Sequence, residues 1–442
     1  MFLLIRKSLI RIDYRMFVAL LLLGLIPTLY TTFRIFLIGR LPGEWGFSIA
    51  SQLQWVNLLY EILQEGLILP LFFFIGAVIA NKTELANRVK TGLIFTISLY
   101  FILSLLIFIF ANPLVVFMAQ DQTVISETVD FIRLETIAMM FSTTLKFLMV
   151  VLVTIKKDKN VYHILLVQLL LTMLLDTFLV STLSFSLNLG INGIAISNII
   201  TNVILVVVAL LITNRSGLTI FSKDKMDFSW LKDLLKKGGI SGLESLVRNL
   251  AFMLMIVRMV NVVGEQGTFW VANNFIWGWL LLPVLQLGEL VKADTGEGSY
   301  QSVKERGLGY FIITLGIVLL WFISIPFWNP FLKNVLQLTN YADVSYIALI
   351  SVGFYVLFAF NHVIDSIFYG LGKTNYMLFQ SLVINILFYG GAFLLYELGV
   401  FTPSLTLIAL MFATGTALDS LLTMGMYVWM LRKKSINPLE VA

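Results

Sequence analysis

Twelve apolar runs divide this chain, near residues 16–38, 50–80, 91–118, 128–155, 161–185, 190–213, 232–262, 268–292, 307–331, 342–371, 374–398 and 404–431. A helix rises 1.5 Å per residue, so about 20 apolar residues cross a ~30 Å hydrocarbon layer. No water reaches the backbone there, and a helix closes its own N–H and C=O groups. The pattern predicts an all-α polytopic membrane protein with twelve transmembrane helices. Only 12% of the 442 residues are charged, against about 25% in soluble domains. The first run, 16–38, is too long for the apolar core of a cleavable leader and reads as a span.

Charge in the connecting segments sets orientation. Of 30 Lys and Arg, 22 fall at one set of span ends, and only Arg40 and Lys333 fall in the opposite loops. The positive-inside rule then puts both termini in the cytoplasm. The longest polar break lies near the middle and leaves six spans on each side. Residues 1–214 are expected to form one lobe, 215–231 a cytoplasmic linker, and 232–442 a second lobe. An even number of spans per half relates the lobes by a pseudo-two-fold axis along the membrane normal. A short internal likeness agrees: Lys159-Asn160-Val161-Tyr162 opens span 5, and Lys373-Thr374-Asn375-Tyr376 opens span 11.

Several chemistries are excluded. There is no cysteine, and His163 and His362 are too few for a histidine-built metal centre. No phosphate-binding glycine loop and no nucleophile constellation are present, so an enzyme is not expected. The net charge of +5 comes from loops and does not indicate nucleic acid. Neither a resident cofactor nor a metal is expected.

Charged residues lie in or at the ends of the apolar runs, among them Arg34, Glu61, Glu65, Lys146, Asp176, Glu244, Arg248, Arg258, Glu289, Lys292, Asp294 and Asp365. Each costs roughly 2.5–3.5 kcal/mol at mid-bilayer on insertion scales, so each needs a partner, water or a function. Glu244 and Arg248 share a helix face in span 7, and Asp365 lies in span 10. Acids on two helices of the second half suit one coupling-cation site. Glu61 and Glu65 repel at i, i+4 and call for a base, for which Arg34 is a candidate. Together with Asp176 these form an expected charge network in the first lobe. Lys146, Arg248 and Arg258 are read as substrate-facing or ion-paired. Glu289, Lys292 and Asp294 read as an interfacial group, with Lys292 reaching water. Asp419 reads as structural. Pro27, Pro70, Pro283 and Pro326 each remove a backbone hydrogen bond inside a span. Trp277 and Trp279 are candidates to line an apolar pocket.

The chain resembles the MATE (multidrug and toxic compound extrusion) family, within a superfamily that includes polysaccharide and lipid-linked flippases. The likeness rests on Phe36-Leu37-Ile38-Gly39-Arg40-Leu41, Leu175-Asp176, Gly238 to Ser245, and Tyr369-Gly370-Leu371-Gly372-Lys373-Thr374. It implies two six-helix lobes and export of organic, often cationic, compounds driven by Na⁺ or H⁺. Glu244 and Asp365 match the acids of the family's second-lobe cation site, and Asp176 the span 5 acid of the first lobe. Arg34 departs from the family, standing where an Asp is usual. Ile240 replaces a proline, and Lys156-Lys157-Asp158-Lys159-Asn160 lacks the usual glycines.

The expected function is therefore a secondary active, MATE-like exporter of organic or amphipathic small molecules, coupled to Na⁺ or H⁺ by alternating access. It is expected as a monomer in the bilayer of the plasma (inner) membrane. The alternative is a flippase or exporter of anionic or lipid-linked substrates, using a cavity made cationic by Arg34, Lys146, Arg248 and Arg258.

Overall fold

The computed structural model describes residues 2–41, 45–218 and 226–434. Residues 219–225 of the expected linker, Lys223, Asp224 and Lys225 among them, lie outside the described residues. Among the described residues eleven helices are long and apolar enough to cross a membrane. One of them, Leu282–Val335, has 54 residues, about 80 Å of helix and more than two hydrocarbon thicknesses. Ser299 breaks it, with φ 52° and ψ −139° inside the helical run. Residues 266–298 are thus span 8 and 300–335 span 9, which restores the expected twelve. The fold is all-α.

A brace holds that break. Arg306 Nη1 lies 2.7 Å from Asp294 Oδ1. Tyr310 donates its hydroxyl to Asp294 Oδ2, and Ser302 Oγ donates to the Asp294 carbonyl at 2.8 Å. Glu289 and Lys292 form a half-exposed pair at 2.6 Å. Asp294 is buried: its carboxylate closes the turn between two spans.

The chain packs as two compact units, Tyr30–Gly267 and Met1–Leu29 with Thr268–Ala442. This grouping differs from the division at 214 and 232 expected from the sequence, because span 7 (Leu231–Val262) packs with Tyr30–Gly267. Span 7 is held to span 2 (Gly46–Gly76) at three levels. At one end Pro70 has no N–H for the carbonyl of Gly66, four residues back. Gly238 approaches that carbonyl so closely that no Cβ fits between them. At the other end Gln52 and Asn261 exchange two amide hydrogen bonds, each 3.0 Å. Between them Asn249 Nδ2 donates to the Leu58 carbonyl at 3.0 Å. The core of this unit gathers Trp55, Tyr60, Ile75, Phe147 and Leu148. In the other unit Ile12, Leu287, Tyr310, Phe368 and Tyr427 form the core. There the N-terminal helix Phe2–Ile10 is fixed by Ser8, whose Oγ accepts from the Gly309 N–H at 2.8 Å.

The internal repeat is real in local geometry, but its register differs from the sequence match. Span 4 ends with Lys156 at φ 60°, and span 10 ends with Gly372 at φ 66°. The next N–H closes back on the helix in both: Lys157 to the Leu152 carbonyl and Lys373 to that of Phe368, each 2.8 Å. Lys157, not Lys159, is the counterpart of Lys373. A side chain in this left-handed position costs about 1–2 kcal/mol, which glycine avoids. Lys156→Gly is expected to stabilise the protein by about 1 kcal/mol, seen as a higher melting midpoint in detergent, while Lys156→Val lowers it.

Candidate functional site

Three charged clusters account for most of the charges inside the spans. The first lies in Tyr30–Gly267 and joins spans 1, 4, 5 and 6. Arg34 Nε donates to Asp176 Oδ2 at 2.7 Å, and Nη2 to Oδ1 at 3.3 Å. The same Nη2 reaches Asn198 Oδ1 at 2.6 Å, and Asn198 Nδ2 reaches Glu135 Oε1 at 2.7 Å. The Asp176 side chain is 0% exposed and that of Arg34 14%. A planar guanidinium in a two-point grip on a carboxylate is a strong charge-assisted contact. Arg34 therefore goes to Asp176 and not to Glu61 or Glu65. Glu135 and Asn198, which sequence reasoning passed over, complete the group.

The second cluster, in the same unit, gathers around Arg248. Its Nη2 lies 2.6 Å from Glu65 Oε1 and 3.2 Å from Glu61 Oε1. Its Nε is 3.9 Å from Glu244 Oε1. Nearby, Lys146 Nζ donates to Gln64 Oε1 at 2.8 Å. The side chains of Arg248 and Glu61 are 39% and 40% exposed. Charges this open inside a span would be costly against hydrocarbon. A wide π turn, Gln64–Ile68, sits at Glu65, and such turns re-aim side chains at functional positions. Arg258 joins neither cluster. Its Nε donates to the Phe117 carbonyl at 2.8 Å, at the C-terminal end of the short helix Ala111–Phe117, where a cation complements the helix dipole.

The third cluster lies in the other unit, across spans 10, 11 and 12. Asn361 Nδ2 donates to Asp365 Oδ2 at 3.0 Å and to Asp419 Oδ2 at 3.4 Å. Gln380 Nε2 donates to Asp365 Oδ1 at 3.2 Å, and Thr423 donates to Gln380 Oε1. Asn361 Oδ1 is buried with no hydrogen bond among the described residues. Asp365 thus keeps company with Asp419. Glu244 belongs to the other unit and has Arg248 as its neighbour. Asp419, read as structural from the sequence, is the second acid of this cluster.

The MatE family model matches residues 74–178. The structure resembles that of a multidrug resistance MATE family transporter of the MOP superfamily in an inward-facing conformation, with a TM-score of 0.71 at 16% identity over 92% of this chain and 95% of that one. The chain has the MATE transporter fold. A point mutant of VcmN, a MATE transporter of Vibrio cholerae, aligns with a TM-score of 0.67 at 18% identity over 99% of this chain and 98% of that one. A MOP superfamily transporter from Pyrococcus furiosus, described as having a binding pocket of reverse polarity, aligns at 0.68 and 16% identity over 98% and 96%. No curated protein sequence matches the chain. The resemblance noted in the sequence is borne out in the fold, and the protein is an integral membrane protein. Within this MATE fold the Arg34 cluster sets a guanidinium among acids, and in the third cluster one amide joins Asp365 and Asp419. Among the described residues no three His, Cys, Asp or Glu side chains gather as a metal-binding group.

Proposed function

We propose that this protein is a secondary transporter that exports small organic compounds by alternating access, driven by Na⁺ or H⁺ taken up at Asp365 and Asp419. One observation carries the reading. Two carboxylates converge on a single amide of Asn361, whose own carbonyl oxygen lacks a hydrogen bond. Oxygen donors of this kind suit a small hard cation. In the Arg34 cluster the guanidinium, which does not lose its proton, already fills that role, so coupling rests on the second cluster. A rocking movement within the bundle would alternate access to the cluster.

The substrate is read as an organic cation. Glu61, Glu65 and Glu244 outnumber Arg248 and Lys146 in this cluster, which opens at Glu61 and Arg248. The alternative is an anionic or lipid-linked substrate in a cavity made cationic by Arg34, Lys146, Arg248 and Arg258. Arg34 and Arg248 are each engaged by carboxylates, and Arg258 by a backbone carbonyl. The charge bias of the loops supports cytoplasmic termini.

Asp365→Asn tests the coupling. In proteoliposomes the variant is expected to lose substrate accumulation driven by a Na⁺ or H⁺ gradient, while exchange of labelled for unlabelled substrate continues. Gradient-driven accumulation at the wild-type level would overturn the reading.

A further inference from the structure

The helix Phe2–Ile10 is separate from span 1, which starts anew at Tyr14. Between them Asp13 turns the chain, and its Oδ1 accepts from the Met16 N–H at 2.9 Å. The two sides of this segment differ with the period of a helix. Ser8 and Ile12 are buried, and Ile5 and Leu9 beside them are partly buried. Arg6, Lys7 and Ile10 face outward, and Ile10 is 70% exposed.

Its contacts fix its depth. Ser8 Oγ accepts from the Gly309 N–H at 2.8 Å, and Arg11 Nη1 lies 3.2 Å from Glu305 Oε2. Gly309 stands near the start of the ninth apolar run, 307–331, where hydrocarbon gives way to headgroups. Ile12 shares a core with Tyr427, Met430 and Leu431, at the close of the twelfth run. Lys433 and Lys434 follow, and lie over the rings of Trp429 and Tyr300 at 4.9 and 5.1 Å. Aromatic rings beside cations mark the membrane interface.

Three segments distant in sequence thus meet at headgroup level within one unit. Residues 6–15, 297–306 and 432–434 hold nine Lys or Arg against three Asp or Glu. Of those acids, Glu305 engages Arg11 and Asp13 caps span 1. Arg6, Lys7 and Arg15 are exposed and form no ion pair among the described residues. A soluble anion would satisfy these cations but leave Ile10 in water, one turn from Arg6 on the same outer face. An anionic phospholipid answers both, with its phosphate at the cations and its acyl chain against Ile10.

We infer that the helix Phe2–Ile10, together with the start of span 9 and the end of span 12, is a docking surface for an anionic phospholipid. Arg6, Lys7 and Arg15 are among the cations that take its headgroup. The surface lies apart from the coupling cluster, so binding is the readout.

The full-length protein in neutral detergent micelles is titrated with phosphatidylglycerol, and with phosphatidylcholine as the control without net charge. A ligand of the folded state raises the melting midpoint, which reports its affinity. Each cation held at an anionic surface strengthens binding about fivefold. Phosphatidylglycerol is expected to act saturably, at about one tenth of the phosphatidylcholine concentration or less. Arg6→Gln/Lys7→Gln/Arg15→Gln is expected to weaken it about tenfold or more, with the lipid-free midpoint unchanged. Lys82→Gln/Lys159→Gln/Lys232→Gln removes the same charge from exposed positions in the other unit. That variant is expected to bind as the wild type does. Ile10→Ser keeps every charge and is expected to weaken phosphatidylglycerol through the lost acyl contact. Equal responses to the two lipids in the wild type, or equal weakening in the two triple variants, would overturn the proposal. Unchanged affinity in Ile10→Ser would also overturn it, by assigning the surface to a soluble anion.

Discussion

Arg34→Leu is expected to lower stability by about 3–5 kcal/mol, because it leaves a buried carboxylate without its partner. Asp176 has no exposed side-chain surface, and Glu135 is 1% exposed. Both would lose the positive charge that balances them, and Asn198 would lose the donor on its Oδ1. Arg34→Lys keeps the charge but loses the fork that grips both oxygens of Asp176, so an intermediate loss is expected. Removing both partners is a different matter. An apolar pair of similar volume often replaces a buried ion pair at little cost. Arg34→Leu/Asp176→Leu is therefore expected to recover the part of the loss that comes from Asp176, while Glu135 still lacks its balancing charge. Denaturation in mixed detergent micelles measures all three. A loss under about 1 kcal/mol in the single variant would mean that the pair is not what balances these acids.

Gly238→Ala is expected to be as damaging through shape alone. The added Cβ would be driven into the Gly66 carbonyl and would crowd the Pro70 ring at 3.1 Å. Neither is the movable end of a side chain, so spans 2 and 7 must separate. Overpacking costs about 1–3 kcal/mol and more where backbone must shift. Separation would also stretch the Arg248–Glu65 contact and the Asn249 bond to span 2. The adjacent glycine is the control. Gly239 has open space where its Cβ would go, and alanine favours the helix by about 1 kcal/mol. Gly239→Ala is expected to be neutral or stabilising in the same unfolding assay. Equal effects at 238 and 239 would refute the close approach.

The spans were legible because length and apolarity are properties of one helix at a time. Even the Ser299 break was foreshadowed by the polar, glycine-bearing stretch between the eighth and ninth apolar runs. Partner choice was not legible, because it depends on which helices adjoin and how each is rotated. Arg34 had Glu61, Glu65 and Asp176 as candidates. The structure gives it Asp176 because Arg248 already engages the two glutamates. Glu135 went unread because Asp130 and Arg133 beside it make the start of span 4 look like a polar end. Asp419 went unread because its link to Asp365 runs through Asn361, fifty-eight residues away on another span. The repeat was found, but two residues out of register, because a matching lysine is a weaker marker than the left-handed turn that precedes it.

The central claim is a division of labour: coupling at Asp365 and Asp419, and a guanidinium-locked cluster at Arg34. The most direct test compares Asp365→Asn with Arg34→Leu/Asp176→Leu in one proteoliposome assay of Na⁺- or H⁺-driven substrate accumulation. The account predicts that Asp365→Asn abolishes gradient-driven accumulation and that the double variant retains it. Retention by Asp365→Asn together with loss in the double variant would contradict the account.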